Sequence, residues 1–304
     1  MHNCCCNVIS SNPARLAVLL AGCLLLAGCT SLFMLPMRQQ ILDPAQRGLV
    51  HEEFRIASAD GTSLYGWHLK AAAPHALVCF FHGNAENIST HLMSVEWLPA
   101  ENIDVVLVDY RGYGASAGEA SFPDVLDDVA AALDECLRRA GGLPVLALGQ
   151  SLGGALLADV AARDAYRRRL SGVILDSSFT RYRTIAREAM TRSWLLWAFQ
   201  YPLSGLVTGA HAPEDAVAQL AGTPLLVMHS RDDGIIGLHH GERLYARAAP
   251  PRCWLETTGP HIAAFRAETY RADILAFMEA VVSGRVPPAG GALRCDWPAA
   301  AGPR

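Results

Sequence analysis

The 304-residue chain carries little net charge, formally −4, so its overall balance points to no nucleic-acid partner. It has no internal repeat, which excludes solenoid and propeller arrays. None of its nine cysteines stand in pairs at CxxC spacing, which argues against structural zinc. The one run of like charge, Arg167-Arg168-Arg169, falls between a helical and a strand pattern and reads as a solvated face. Apolar residues are plentiful. At 51% hydrophobic the chain can bury a sizeable core, and its length is ordinary for one large α/β domain with insertions.

The N-terminus is the first informative segment. Arg15 precedes an almost unbroken apolar run over residues 16–27, which ends in Leu26-Ala27-Gly28-Cys29. This resembles the lipobox of bacterial lipoproteins, in which small residues before the cysteine suit the signal peptidase and the thiol receives a diacylglyceryl group. The resemblance implies a signal peptide over 1–28, lipidation of Cys29 with palmitate-like chains, and a tether over 29–49. Several acyl chains on one cysteine anchor firmly, since each buried CH₂ contributes about 0.8 kcal/mol. A second match, Leu20-Ala21-Gly22-Cys23, leaves a hydrophobic region of only about the minimum length, so Cys29 is preferred. An uncleaved anchor is the alternative: residues 16–37 are long enough to cross a bilayer, although Thr30, Ser31 and Pro36 weaken it. Thr30 follows the cysteine where an aspartate commonly retains lipoproteins in the inner membrane. The expected address is therefore the outer membrane of the bacterial envelope, facing the periplasm. Cys79 falls in an apolar strand pattern and Cys136 in a helical one, so both read as small buried hydrophobes. Export permits disulfides, but the spacing does not demand them.

After the tether, residues 50–57 and 62–70 alternate apolar and polar around Asp60-Gly61, a β-hairpin signal. From there apolar strands alternate with helical patterns: strands near 75–81, 103–108, 144–148, 172–175, 224–228 and 253–256, and helices near 87–98, 123–139, 153–162, 239–248 and 264–282. This order predicts an α/β fold with a mostly parallel sheet, helices on both faces and an antiparallel pair at one edge. The domain spans 50–283. Residues 181–212 interrupt the rhythm with Trp194, Trp197, Phe199 and Tyr201, and read as either a small cap or an ordinary packing segment. Residues 284–304, rich in Pro, Gly and Ala, read as a loose tail.

Gly149-Gln150-Ser151-Leu152-Gly153 follows a strand and opens a helix, the context of a nucleophile elbow. The tight turn leaves no room for side chains at Gly149 and Gly153, and it lifts the Ser151 hydroxyl off the sheet with a helix N-terminus beneath it. Phe80-Phe81-His82-Gly83-Asn84 ends an earlier strand, so the backbone N–H groups of Asn84 and Leu152 are candidate oxyanion donors. His82 reads as a structural residue of that loop. A nucleophilic serine needs a base, and the base needs an orienting carboxylate. The chain order Ser, Asp, His is met by Ser151, then Asp232-Asp233 after one strand, then His261 after the next. Both loops lie past strand C-termini, where sites form in parallel sheets, and His261 is expected to open the last helix. His239 and His240 could join Asp232 and Asp233 as metal ligands, but adjacent helical histidines should diverge.

Taken together, His82-Gly83-Asn84, Asp109-Tyr110-Arg111-Gly112-Tyr113-Gly114 with Ser116 and Gly118, the elbow, and His229-Ser230-Arg231-Asp232-Asp233 resemble the Bem46-like, ABHD12/13/17-type serine hydrolases of the α/β-hydrolase superfamily. The resemblance runs from about residue 53 to 281. It implies Ser151 as nucleophile, Asp233 as triad acid and His261 as base, acting without metal or cofactor. Gly237 departs from the usual proline, and Ile262 from a small or polar residue. Residues 109–114 read as a structural turn, with Tyr110 and Tyr113 near enough to meet substrate. The expected reaction is hydrolysis of a carboxylic ester, thioester or acyl lipid through an acyl-enzyme. A peptidase on the same fold is the alternative, and a non-catalytic binding protein is the rival from another class. Expected partners are a small ester or acyl-lipid substrate and a membrane, reached through the N-terminal anchor.

Overall fold

In the computed structural model, which describes residues 34–192, 196–288 and 291–298, the chain builds one nine-stranded sheet. The hairpin comes first, β1 (His51–Ala57) and β2 (Ser63–Leu69), antiparallel in register from His51↔Leu69 to Ala57↔Ser63. Gly61 takes φ +85° in its turn, and Asp60 Oδ1 accepts the Thr62 N–H at 2.9 Å. Next come β3 (Ala76–Phe81), helix α1 (Ile88–Val95), β4 (Ile103–Val108), α2 (Val125–Arg139) and β5 (Val145–Gln150). Helix α3 (Leu152–Ala161), the short α4 (Asp164–Arg167) and β6 (Gly172–Asp176) follow. The segment after β6 holds α5 (Tyr182–Thr191), a 3-10 turn (Trp197–Phe199), α6 (Gln200–Gly205) and α7 (Pro213–Val217). The chain then closes with β7 (Leu225–Ser230), α8 (Leu238–Arg247), β8 (Arg252–Thr257), α9 (Glu268–Ser283) and β9 (Leu293–Asp296).

The strand order is β1-β2-β4-β3-β5-β6-β7-β8-β9, with β4 to β8 all parallel to β3 or to one another. The predicted fold class is borne out. The six parallel strands are almost continuously buried, as a sheet covered on both faces requires. Alternate side chains serve opposite faces. Leu77, Cys79 and Phe81 of β3 pack with Val129 and Leu133 of α2 and Leu156 of α3. Ala76, Val78 and Phe80 pack with Ile88 and Leu92 of α1 and Ile274 and Phe277 of α9. Neighbours of β3 lie on either side of it, β4 one way and β5 the other. That reversal makes the C-terminal ends of β3 and β5 the switch point where ligand crevices open.

Three expectations change. Cys79 and Cys136 are not free buried thiols but a disulfide joining β3 to α2, and Cys253 and Cys295 form a second one. The tail is not uniformly loose, because β9 pairs antiparallel with β8 and sets Cys295 directly opposite Cys253. The last helix starts at Glu268 rather than near residue 264, so His261 stands in the preceding loop; Ile262 takes φ +54°, a conformation no right-handed helix contains. Of the four aromatic residues noted in 181–212, Trp194 lies outside the described residues. The Arg167–Arg169 run does face solvent, with Arg167 pairing Asp164 at 2.6 Å.

Candidate active site

Ser151 sits between β5 and α3 at φ +54°, ψ −117°, a backbone state that costs a non-glycine residue on the order of 1–3 kcal/mol. Its neighbours hold it there. The Ser151 N–H donates to Asp176 O at 2.9 Å, and Ser178 Oγ donates to Ser151 O at 3.1 Å. A Cβ on Gly149 would lie 2.6 Å from Gly153 O, and one on Gly153 would run into the Phe81 and His82 carbonyls. Both glycines are thus demanded by the close approach of α3 to β5 and to the end of β3. Leu152 is the first helical residue of α3, so its N–H belongs to the orphan donors of a helix start.

The loop after β3 lies against the elbow: a Cβ on Gly83 would come 3.4 Å from Ser151 Cβ. That loop is tied from several sides. Tyr110 donates its hydroxyl to His82 O at 3.0 Å, and Gly83 N–H donates to His91 Nε2 at 3.2 Å. Asn84 Oδ1 accepts from the Tyr113 hydroxyl and from Leu35 N–H, both at 2.9 Å. Tyr110 and Tyr113 are buried and hold the loop rather than lining either hollow described below. His82 is fully buried, with Nδ1 donating to Gly83 O at 2.8 Å. Burial, aided by the neighbouring His91, pushes its pKa down to about 3, so it is a neutral prop. Asp109 faces it across 3.7 Å, and burial raises that carboxyl to about 7.

His261 and Asp233 meet directly, Nδ1 to Oδ2 at 2.6 Å. Asp233 Oδ1 accepts the N–H groups of Ile235 at 2.8 Å and Ile236 at 2.9 Å. Burial alone would raise the Asp233 carboxyl, but His261 and those two amides outweigh it and hold its pKa below the ordinary value. An ionised Asp233 fixes the proton of a neutral imidazole on Nδ1 and leaves Nε2 to accept. His229 donates from Nε2 to Ile236 O at 2.9 Å, bracing the same turn. Asp232 points elsewhere: its Oδ2 accepts the Gly259 N–H at 3.1 Å, and it joins the loops after β7 and β8.

Behind the serine runs a buried chain that sequence reading missed. His91 Nδ1 donates to Gln150 Oε1 at 2.9 Å, and Gln150 Nε2 donates to Asp176 Oδ2 at 2.8 Å. Gln150 is the variable residue of the elbow motif, so no residue pattern marks this role. His239 and His240 do not join Asp232 and Asp233. They do not diverge either: both reach Glu188 of α5, at 3.3 and 3.0 Å. Among the described residues this is the one cluster with metal-like ligand spacing. However, His240 Nδ1 accepts the Thr180 N–H at 3.1 Å, so in the neutral ring Nε2 carries the proton and donates to Glu188. The cluster is a hydrogen-bonded clasp between α5 and α8.

Two hollows meet at Ser151. One, of about 380 Å³, is apolar and is walled by Leu156, Phe179, Ile185 and Ala186 together with Met34 and Leu35. The other, about 900 Å³, is a groove carrying Glu86, His91, Asp232, His261 and Arg266. Met34 and Leu35 are the surprise, because they belong to the stretch read as a tether. Their contribution is tertiary, and no local pattern announces it.

The serine aminopeptidase S33 family matches residues 72–208. The uncharacterized protein YfhR of Escherichia coli (strain K12) is 35% identical over 239 residues, 75% of this chain and 80% of YfhR. The lysophosphatidylserine lipase ABHD12 of Mus musculus is 30% identical over 199 residues, 61% of this chain and 49% of that protein. The Pyrococcus furiosus esterase Pf2001 shares the fold at TM-score 0.66 and 18% identity, covering 81% of this chain and 99% of the esterase. Fold and comparisons define a serine-hydrolase-type enzyme. The chain belongs to the α/β-hydrolase superfamily and, within it, to the family of YfhR.

Proposed function

We propose that this enzyme hydrolyses acyl esters of amphiphilic lipids, with acyl thioesters next in preference, as a Bem46-like, ABHD12/13/17-type hydrolase acting through Ser151, His261 and Asp233. The observation that carries the reading is the meeting of an apolar cavity and a polar groove at Ser151: the acyl chain lies in the first and the leaving group in the second. Ser151 Oγ attacks the carbonyl carbon as its proton passes to His261 Nε2. The backbone N–H groups of Asn84 and Leu152 hold the oxyanion, each worth about 3 kcal/mol in the transition state. His261 returns the proton to the departing alcohol, leaving an acyl-enzyme. A water then gives its proton to His261, attacks the acyl carbon, and the acid leaves as Ser151 is restored. The lipase name of mouse ABHD12 points the same way.

A peptidase is the second reading, favoured by the serine aminopeptidase description and by the Glu86 and Asp232 carboxylates on the groove, which suit a substrate ammonium. A panel of p-nitrophenyl esters, acyl thioesters and aminoacyl amides, tested on the full chain in detergent beside its Ser151→Ala variant, separates the two. Serine-dependent ester or thioester turnover is expected. Amide turnover alone would overturn the ester reading.

The proposal includes an address in the bacterial envelope, with Cys29 lipidated, the hydrolase domain spanning 50–283 and residues 181–212 as its cap. Cys29 lies outside the described residues, and among the described residues no helix is long and apolar enough to cross a membrane. Two disulfides favour an oxidising compartment. Metabolic labelling with a palmitate analogue should mark the wild type and not Cys29→Ser. A label that persists moves lipidation to another site, such as Cys23.

A further inference from the structure

The cap is apolar on two sides. Tyr182, Ala186 and Met190, spaced four apart on α5, turn inward and are buried. The segment that follows turns its apolar groups outward: Trp197 is 61% exposed, Phe199 56% and Tyr201 70%. Single exposed hydrophobes need no explanation, but aromatic residues crowded on one short segment do. The segment ends at Val207, which lines the apolar cavity, and on the same cavity Leu35 is 58% and Ile235 55% exposed. Arg192 fastens the cap to this rim by donating to Ile235 O at 2.9 Å.

Charge is distributed with the same asymmetry. Residues 181–212 hold four arginines and one glutamate, in a chain whose net charge is −4. The glutamate, Glu188, faces the body through His239 and His240, and Arg181 faces it through Glu214 and Asp215. Arg187 lies 5.5 Å from the Tyr201 ring centroid, and Arg192 sits at the rim. Within residues 181–212, exposed Trp, Tyr and Phe accompany arginine with no outward acid, the composition of a surface that sits at a membrane–water boundary.

The chain before the described residues leads to the same place. Cys29 is six residues from Leu35, and the apolar run ends eight residues from it, a span of at most about 30 Å when fully extended. Whether the anchor is acyl chains or an apolar helix, it holds the cavity mouth close to lipid. We infer that the cap segment 196–207, with Leu35 and Ile235, docks on an anionic lipid surface and lets an acyl chain pass from that surface into the apolar cavity. This rests on the membrane-anchored acyl-hydrolase reading above.

The test uses the full chain reconstituted in vesicles of phosphatidylglycerol and phosphatidylcholine, with or without bromine on the acyl chains. Subtracting the emission of Trp197→Phe isolates Trp197. Brominated chains should quench that component, and more strongly with phosphatidylglycerol than in phosphatidylcholine alone. The variant Trp197→Asp/Phe199→Asp should lose about tenfold in hydrolysis of a long-chain ester resident in the vesicle, while keeping its rate on a soluble acetyl ester and its fluorophosphonate labelling. A Trp197 quenched by aqueous acrylamide but not by brominated chains overturns the inference. So does shielding from both quenchers with cross-linked dimers, which would assign the patch to a second copy. Equal quenching in neutral vesicles removes the anionic preference. Absent fluorophosphonate labelling of the wild type would strike the hydrolase reading instead and leave the quenching result standing.

Discussion

The two hollows at Ser151 differ in what builds them. The groove is made of loops at the ends of β3, β7 and β8 with helix α1 and residues 41–42 beside them, and its catalytic candidates are held by short hydrogen bonds such as His261 to Asp233 at 2.6 Å. The cavity is made where separate segments touch, α3, α5 and the 34–35 stretch, and packing does most to shape it, with the Leu35 amide bonded to Asn84 at its edge. The difference teaches where selectivity can change cheaply. Altering the groove's machinery stops the reaction for every substrate, whereas altering the cavity wall re-sorts acyl chains and leaves the chemistry intact.

The largest expected effect lies on the groove side. Asp233→Asn keeps the shape but favours the wrong tautomer of His261, and kcat should fall on the order of 10⁴-fold for short and long acyl esters alike. Asp232→Asn should cost little, because Asp232 only ties the Gly259 loop. Steady-state kinetics on folded proteins decides it, and the reverse ranking would move the acid to Asp232. Next comes the cavity. Ala189 lines its wall from α5 and is exposed, so Ala189→Trp should block the mouth. Long-chain esters should lose about tenfold or more in kcat/KM while acetyl esters keep theirs; a uniform loss across chain lengths would break the division between the hollows. On the groove's far side, Arg266→Ala should lower kcat/KM severalfold for esters with a phosphate in the leaving group and leave acyl preference alone. A changed acyl preference would merge the two hollows into one.

The smallest effect on turnover is expected beneath both hollows. Burial raises the Asp109 carboxyl to about 7, above its value in the unfolded chain. Between the two values the folded state binds the extra proton, so the stability from this group is present in acid and is lost as pH rises toward and through 7. Asp109→Asn should therefore gain on the wild type by roughly 1–4 kcal/mol between pH 4 and 8, with turnover little changed. Denaturant midpoints at the two pH values measure this, and parallel curves would mean that Asp109 is ionised throughout.

Much of the fold was legible in the sequence because its signals are local. Six apolar runs separated by helical patterns describe a parallel sheet covered on both faces, and Gly149 and Gly153 mark a turn with no room for a Cβ. The residues singled out at strand ends, Asn84, Ser151, Leu152, Asp233 and His261, all belong to loops or helix starts at one end of the sheet. What stayed hidden is what distance in sequence creates. Cys79 and Cys136 are separated by 57 positions, and each alone looks like any buried small residue. Met34 and Leu35 meet the cavity because residues far along the chain hold that stretch, Asn84 at the Leu35 amide and Asn87 at the Met37 carbonyl. The start of the last helix was misplaced because the apolar spacing continues backward through residue 264, past a left-handed turn at Ile262 that periodicity does not register.

β9 has a consequence for the protein's solubility. Without it, β8 would end the sheet, presenting a row of unpaired backbone donors and acceptors beside Cys253, Trp254 and Leu255, open to pairing with another chain. β9 covers that row with four residues, three of them exposed, and gives the outermost strand Arg294 and Asp296 in place of apolar groups. The Cys253–Cys295 bond keeps so short a strand in place. Reduction would thus do more than loosen the fold: a molecule still otherwise native would carry a sticky edge, and its loss would be read first as turbidity rather than as unfolding.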